Sequence, residues 1–253
     1  MVNIAVASMF RNSEVWHGRQ INQVDKFFNS ILGQEGGSKH FDLTFHLVEG
    51  NSTDTTLKKL RYWQSIFPDI TLYQKQVKGS EVASVVSETR FKNLSSVGNV
   101  ALQAARDSGT DYVLWMESDL IPPANLAISL LLPFMEESAE QSIFAVAPVP
   151  VFHQGGRKLF YDTWAFEGSD GQKWGNGDLD KLVKTSTCLR SMNSIGSCAL
   201  LNGSILREHR LDFGEGCFPA LCKSGREAGY GVYCDVTVEV QHPCNENVNG
   251  RLI

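Results

Sequence analysis

The chain has 253 residues, a mass of 28.0 kDa, 42% apolar residues and a net charge of −5. That length supports one large domain with a proper core. The acidic balance excludes a general electrostatic attraction to nucleic acid or to an anionic membrane, leaving only local basic patches for such contacts. The longest apolar stretch, residues 126–135, is interrupted by Pro133 and is too short to span a bilayer. The opening MVNIAVASMF has no basic n-region and fits a first strand better than a secretion signal, so a cytoplasmic location is expected, with an upstream anchor left open.

Val2 to Ser8 reads as a first strand, followed by Ser8, Arg11 and Asn12 at its end. A helix is predicted from about Gly18, because Ile21, Val24, Phe27, Phe28, Ile31 and Leu32 recur at helical spacing. Phe41 to Val48 reads as strand two, followed by the loop Glu49 to Asp54. Thr55 to Ser65 reads as a second helix, and Ile70 to Tyr73 as a short third strand. A longer helix is predicted from Arg90 to Ser108, with Leu94, Val97, Ala101, Leu102 and Ala105 as its stripe and Gly109 as its C-terminal glycine. Tyr112 to Met116 is a continuous apolar run, the mark of a strand buried on both faces. Pro122-Pro123 is expected to open the next helix, and Ile143 to Val149 to form another buried strand.

This alternation predicts an α/β domain with a mostly parallel sheet flanked by helices. Residues 152–190, rich in glycine, aspartate, lysine and aromatics, have no clear period and read as a long functional loop region. Ser197 to Leu201 resumes a buried strand, Pro219 to Ala228 reads as a short helix, and Tyr230 to Gln241 is strand-like before His242-Pro243. All six cysteines come late (Cys188, Cys198, Cys217, Cys222, Cys234, Cys244) and none forms a C-x-x-C pair. Free, mostly buried thiols are expected rather than a zinc site. Asn51, Asn93 and Asn202 each begin a glycosylation sequon, a pattern common by chance.

The chemistry centres on Glu117-Ser118-Asp119, directly after the Tyr112 strand. Open α/β sheets bind ligands at the carboxyl ends of their strands. Two carboxylates one residue apart in a turn can share a hard divalent cation through oxygen, although an isolated acid pair is more often a solvated turn. Its context points further. The loop EGNSTD, the Arg90-to-Asn99 spacing on the helix before the acidic strand, the E-S-D triplet, and the closing FGEGCFPALCKSGREAGYGVYCDVTVEVQHP occur in the order that resembles GT-A nucleotide-sugar glycosyltransferases. The segment LFYDTWAFEG, residues 159–168, is similar to the fungal capsule-associated and Golgi mannosyltransferase group and to related bacterial and phage enzymes, most of them thought to be retaining.

The resemblance implies a single Rossmann-like GT-A domain over 1–253, with 1–123 as the nucleotide-sugar half and 124–253 as the acceptor half. It implies a nucleotide-diphosphate sugar as donor, Mn2+ or Mg2+ as cofactor, and a glycan or other hydroxyl as acceptor. Asp119 is the first metal ligand it implies. Glu117, where the family often has Asp, is a second ligand or a contact to the donor ribose, and His242 is a third contact to metal or diphosphate. Glu49 falls where relatives place an acid against the base or ribose; a role in its own loop is the equal alternative. Arg90 and Asn99 match positions near the nucleotide, Arg90 as a partner for phosphate. Ser8 and Arg11 lie where the first strand meets the donor.

Asp212 and Glu215 belong to the acidic motif that supplies a general base in inverting relatives. Gly216 occupies the place of a second adjacent acid, which fits retention and leaves Glu215 to orient the acceptor. Asp162 suits a contact to sugar hydroxyls, with Trp164 and Phe166 either beside it or in the core. His153, Arg157 and Lys158 suit an anionic contact or a solvated turn. Other readings remain open at this point: a sugar-nucleotide pyrophosphorylase, a non-catalytic nucleotide- or glycan-binding subunit, or a phage-type transferase acting on a modified DNA base.

Overall fold

The computed structural model describes residues 1–16, 19–34, 40–77, 87–136, 142–179 and 188–243. Its strands are β1 (Val2–Phe10), β2 (Val15–Trp16), β3 (Arg19–Gln20), β4 (Phe41–Glu49), β5 (Ile70–Gln74), β6 (Tyr112–Met116), β7 (Ile143–Gln154), β8 (Arg157–Phe160), β9 (Glu167–Gly168), β10 (Leu189–Ser194), β11 (Cys198–Asn202) and β12 (Gly231–Gln241). Its helices are α1 (Gln23–Leu32), α2 (Thr56–Ile66), α3 (Glu88–Asp107), α4 (Leu126–Met135), α5 (Gly203–Glu208) and α6 (Phe218–Glu227). No helix among the described residues is long and apolar enough to cross a membrane.

The sheet runs β5-β4-β1-β6-β11-β7-β12-β10-β9, with β8 paired to β7. Its first half, β5 to β6, is wholly parallel. Chain order reverses at β1, whose neighbours are β4 and β6. That reversal opens the crevice at the carboxyl ends of β1 and β6 where such sheets take ligands. The second half is mixed: β11 lies antiparallel between β6 and β7, while β12 runs parallel to β7.

Apolar residues of α1, α2 and α4 cover one face of the sheet. Those of α3, α5 and α6 cover the other, together with Phe160, Phe166 and Trp174. The helical spacing read from the sequence is what buries Val24, Phe27, Phe28 and Ile31 on α1, and Ala101, Leu102 and Ala105 on α3. Ser87 caps α3 by accepting the Arg90 N–H, and Gly109 follows its end at φ +80°, a left-handed position that costs glycine little.

Three expectations need correction. Helix α1 starts at Gln23, because β2 and β3 pair antiparallel ahead of it and the Glu14 carboxylate accepts the Val24 N–H at the helix start. Residues 122–123 do not open α4. Ile121 is bonded in both directions to Gln241, and the helix begins three residues past the prolines, at Leu126. The region 152–190 is not loop throughout. Strand β7 continues to Gln154, turns through Gly155 and Gly156, both at positive φ, and returns as β8. Asn202 uses its side-chain oxygen to cap α5 by accepting the Ser204 and Ile205 N–H groups.

Of the cysteines, Cys198, Cys222 and Cys234 are buried free thiols, Cys217 is half-buried and Cys188 exposed; Cys244 lies outside the described residues.

His46 on β4 lies near the Tyr73 ring, and both its ring nitrogens are buried without a partner among the described residues. Burial depresses its pKa below 6.5. In the unfolded chain the imidazole protonates at about 6.5, so the unfolded state binds the proton first as pH falls. The contribution of His46 to stability is therefore constant above that value and declines as pH drops through it toward the lower folded value. We expect urea midpoints to fall between pH 7 and about 5.5, and His46→Phe to lessen that fall. An unchanged pH slope in the variant would show that the decline belongs to other groups.

Candidate active site

The cleft lies over the carboxyl ends of β1 and β6. It has two joined chambers of about 300 and 290 Å3. The outer one is walled by Phe10, Arg11, Gly50, Val77, Asn93 and Asp119 among others. The inner one is walled by Phe91, Trp115, Tyr161, Asp162, Trp164 and Ser197 among others. Met9, Arg90, Leu94 and Glu117 line both, so Arg90 and Glu117 stand at the junction.

Asp119 and His242, 123 positions apart in sequence, meet here, with His242 Nε2 3.0 Å from Asp119 Oδ2. The reciprocal bonds between Ile121 and Gln241 hold the end of β12 beside the acidic turn. The His242 main-chain N–H donates to the Val151 carbonyl, and its ring stacks on Tyr161 with centroids 3.7 Å apart and planes 14° from parallel. The imidazole is thus held between Asp119 and Tyr161, and only 6% of His242 is exposed.

The other Asp119 oxygen, Oδ1, is buried and has no hydrogen-bond partner among the described residues. A buried carboxylate oxygen left unpaired costs free energy unless something positive comes to it. An orphaned carboxylate oxygen beside an imidazole suits a divalent cation that accepts oxygen and nitrogen ligands. Among the described residues no three His, Cys, Asp or Glu side chains form a ready-made metal cage. The pair fits a metal of the kind that takes one or two protein ligands and completes its sphere with ligand oxygens and water.

Glu117 has its backbone N–H bonded to the Ser197 carbonyl, while its carboxyl has no hydrogen-bond partner among the described residues. Burial pushes that carboxyl up to about 8, and the Asp119 and Asp162 charges add to the effect, against His242 and Arg90. A cation placed beside that carboxyl would relieve the repulsion between these acids.

Asp162 lines the inner chamber as the sequence suggested. Its Oδ1 accepts the Ala165 N–H at 3.2 Å and its Oδ2 accepts the Ser197 hydroxyl. Burial raises its pKa, and these two donors oppose the rise. Gly196 allows the arrangement: a Cβ there would lie 2.5 Å from Asp162 Oδ2 and closer still to Ala165 Cβ. Trp164 also lines the chamber and stacks on Phe91 with centroids 3.9 Å apart, whereas Phe166 is core.

Arg90 lines both chambers and Arg11 the outer one. Other candidates do not. Strand β1 runs two residues past Ser8, so Ser8 is buried inside it, its hydroxyl unpartnered among the described residues, and the cleft begins at Met9. Glu49 turns back on its own loop, accepting the Ser52 N–H at 2.5 Å and the Gln74 side-chain amide at 3.4 Å, and Gly50 takes its place in the wall. Asn99 spends both ends of its amide on the Phe213 backbone, at 2.8 and 2.7 Å. Asp212 pairs with Arg106 at 2.8 Å. Glu215 is exposed, 3.6 Å from Lys92, and lines neither chamber. Lys158 is held by Glu239 at 2.6 Å, and His153 and Arg157 stay outside the cleft.

Tyr161, Ser197, Gly196, Phe91 and Cys217 belong to the cleft without having been singled out by sequence. The one usable signal was the small-residue run Gly196-Ser197 just before a buried strand, where Ser197 adopts φ +53°.

Neither a family model nor a curated protein matches this sequence. Solved structures do. The Pyrobaculum calidifontis mannosyltransferase PcManGT, solved with GDP-Man and Mn2+, superposes with a TM-score of 0.57 at 14% identity over 97% of this chain. GalNAc-T7 with UDP, GalNAc and Mn2+ gives 0.63 at 12% identity over 95%. S. aureus TarS 1–349 with UDP gives 0.53 at 14% over 95%. The fold is GT-A. This GT-A chain spans 58%, 44% and 60% of those structures' lengths, less than two thirds of each. At such low identity the likeness establishes the fold alone, and the cleft described above supplies the chemistry.

Proposed function

We propose that this GT-A protein is a metal-dependent glycosyltransferase that moves a sugar from a nucleotide-diphosphate sugar to an acceptor hydroxyl, with retention at the anomeric carbon. The observation that carries the reading is the Asp119–His242 pair, with one carboxylate oxygen orphaned and Asp119 in the wall of the outer chamber. Neighbours of the same fold solved with GDP-Man or UDP and with Mn2+ support it.

Asp119 and His242 would hold Mn2+ or Mg2+. When bound, that ion supplies Lewis-acid stabilisation of the negative charge on the departing diphosphate. Arg11 and Arg90 add fixed positive charge along the phosphate path. The outer chamber, built largely from residues 1–123, would take the nucleoside. The inner chamber would take the sugar, and residues 124–253 supply much of its far wall. Glu117 at the junction accepts from ribose or sugar hydroxyls.

Two features support retention. The YDTWAF segment resembles retaining relatives, and Glu215, the remaining acid of the inverting motif, is exposed and paired toward Lys92 instead of lining the cleft. The donor's own phosphate oxygen then takes the acceptor proton. The acceptor belongs to the class of hydroxyl-bearing glycans.

A thermal-shift panel of nucleoside diphosphates and their sugars, with and without Mn2+, tests this. Ligand at about a hundred times its Kd stabilises by about 2.7 kcal/mol. For a domain of this size that raises the midpoint by roughly 5–10 °C. One nucleotide should act in this way only with metal. Metal-independent stabilisation would favour a non-catalytic binding subunit, and no stabilisation by any nucleotide would end the reading.

A further inference from the structure

The inner chamber carries information about the sugar itself. Its floor is apolar and buried: Phe91, Trp115, Phe213 and Phe218. Its half-buried aromatic rings are Trp164, backed by Phe91, and Tyr161, backed by His242. Rigid stacked rings of this kind offer flat apolar faces to the C–H side of a sugar ring. A volume of about 300 Å3 is at the small end of ligand sites.

The polar groups are one-sided. Asp162 lies in the inner chamber and Glu117 at its entrance, and apart from the shared Arg90 no Lys, Arg or His lines this chamber among the described residues. The nearby cations are engaged elsewhere. The Lys173 ammonium donates to the Trp164 carbonyl at 2.8 Å and lies 3.6 Å from Glu167, and His242 faces Asp119. Asp162 already accepts on both oxygens, from the Ala165 N–H and the Ser197 hydroxyl. What it has left to offer a ligand is acceptor capacity. Sugar hydroxyls donate to such groups. A sugar carboxylate brings only acceptors and a like charge up to Asp162, and the one lining cation among the described residues, Arg90, stands at the junction with the outer chamber.

We propose, resting on the glycosyltransferase reading, that the inner chamber selects a neutral, hydroxyl-bearing sugar and rejects sugars with an anionic substituent, with Asp162 as the specificity-determining residue. The test is a binding comparison in the presence of Mn2+. UDP and GDP are measured first. The pair matching the base that binds follows: UDP-glucose against UDP-glucuronic acid, or GDP-mannose against GDP-mannuronic acid.

The neutral sugar nucleotide should bind at least about tenfold tighter than its uronate. Asp162→Asn keeps the shape and the Ala165 contact while supplying a donor, so it should shrink that ratio by weakening the neutral ligand and improving the uronate. Equal affinity for the two sugars while the nucleoside diphosphate still binds would overturn the proposal and leave the enzyme reading standing. A ratio unchanged in a folded Asp162→Asn would overturn the role of Asp162. If that variant does not fold, Ser197→Ala takes its place: freeing Asp162 Oδ2 should widen the ratio, and an unchanged ratio would overturn the role of Asp162. Failure of UDP and GDP alike to bind would remove both the reading and the proposal.

Discussion

Asp119→Asn should lower sugar transfer by roughly 10²–10³-fold or more, the scale seen when one preorganised charge-stabilising group is removed. The same substitution should abolish the Mn2+-dependent part of nucleotide stabilisation. The reason is local. Asp119 Oδ2 is held by His242, and Oδ1 is buried with nothing to satisfy it among the described residues. An asparagine keeps the size and one acceptor, but loses the negative charge that would attract a divalent ion. Its amide can still meet His242, so the ligand-free melting temperature should change little. Calorimetric titration of Mn2+ with nucleoside diphosphate, alongside a transfer assay, checks both halves. Full activity in the variant would remove Asp119 from the centre of the mechanism.

Asp212→Ala should have the opposite profile: a large loss of stability with the donor affinity of the folded protein kept. Arg106 is only 3% exposed. It donates to Asp212 at 2.8 Å and to Asp107 at 3.0 Å, while Gln103 reaches the other Asp212 oxygen at 3.3 Å. Removing Asp212 leaves a buried guanidinium with one of its two carboxylates. Breaking a buried pair from one side costs about 3–5 kcal/mol when nothing remains; the surviving Asp107 contact brings the expectation to about 2–3 kcal/mol. For a domain of this size that is a drop of roughly 5–10 °C in melting temperature. Donor binding measured well below the midpoint should stay within a few-fold of wild type. A stable Asp212→Ala protein that binds donor normally but has lost transfer would instead return this acid to the chemistry.

These two carboxylates show how far the sequence reaches. Asp119 was legible because it follows a fully apolar strand, and a polar turn at such a strand's end has few places to go but the rim of the sheet. His242 was legible as the terminus of the last strand. Asp212, Asn99 and Glu49 match a family pattern equally well, yet each is committed to a partner far along the chain or in its own loop. Asn99 binds the Phe213 backbone, 114 positions away. No spacing rule reveals that a polar residue has already been used, because its partner is chosen by packing.

The parallel half of the sheet and its helices followed from the sequence, since apolar periodicity sets which face of each element is buried, and burial dominates folding. What periodicity does not carry is which strand lies beside which. The antiparallel insertion of β11 between β6 and β7 was decided by tertiary pairing, and so was the extension of β7 into the β8 hairpin. Those pairings bring Tyr161, Asp162, Ser197 and His242 to the carboxyl end of β6. By itself the sequence determined an α/β chain with acids at one strand end. Only the tertiary structure decided which of its polar residues remain free to meet a ligand, because hydrogen bonds between distant residues form only when packing brings them together.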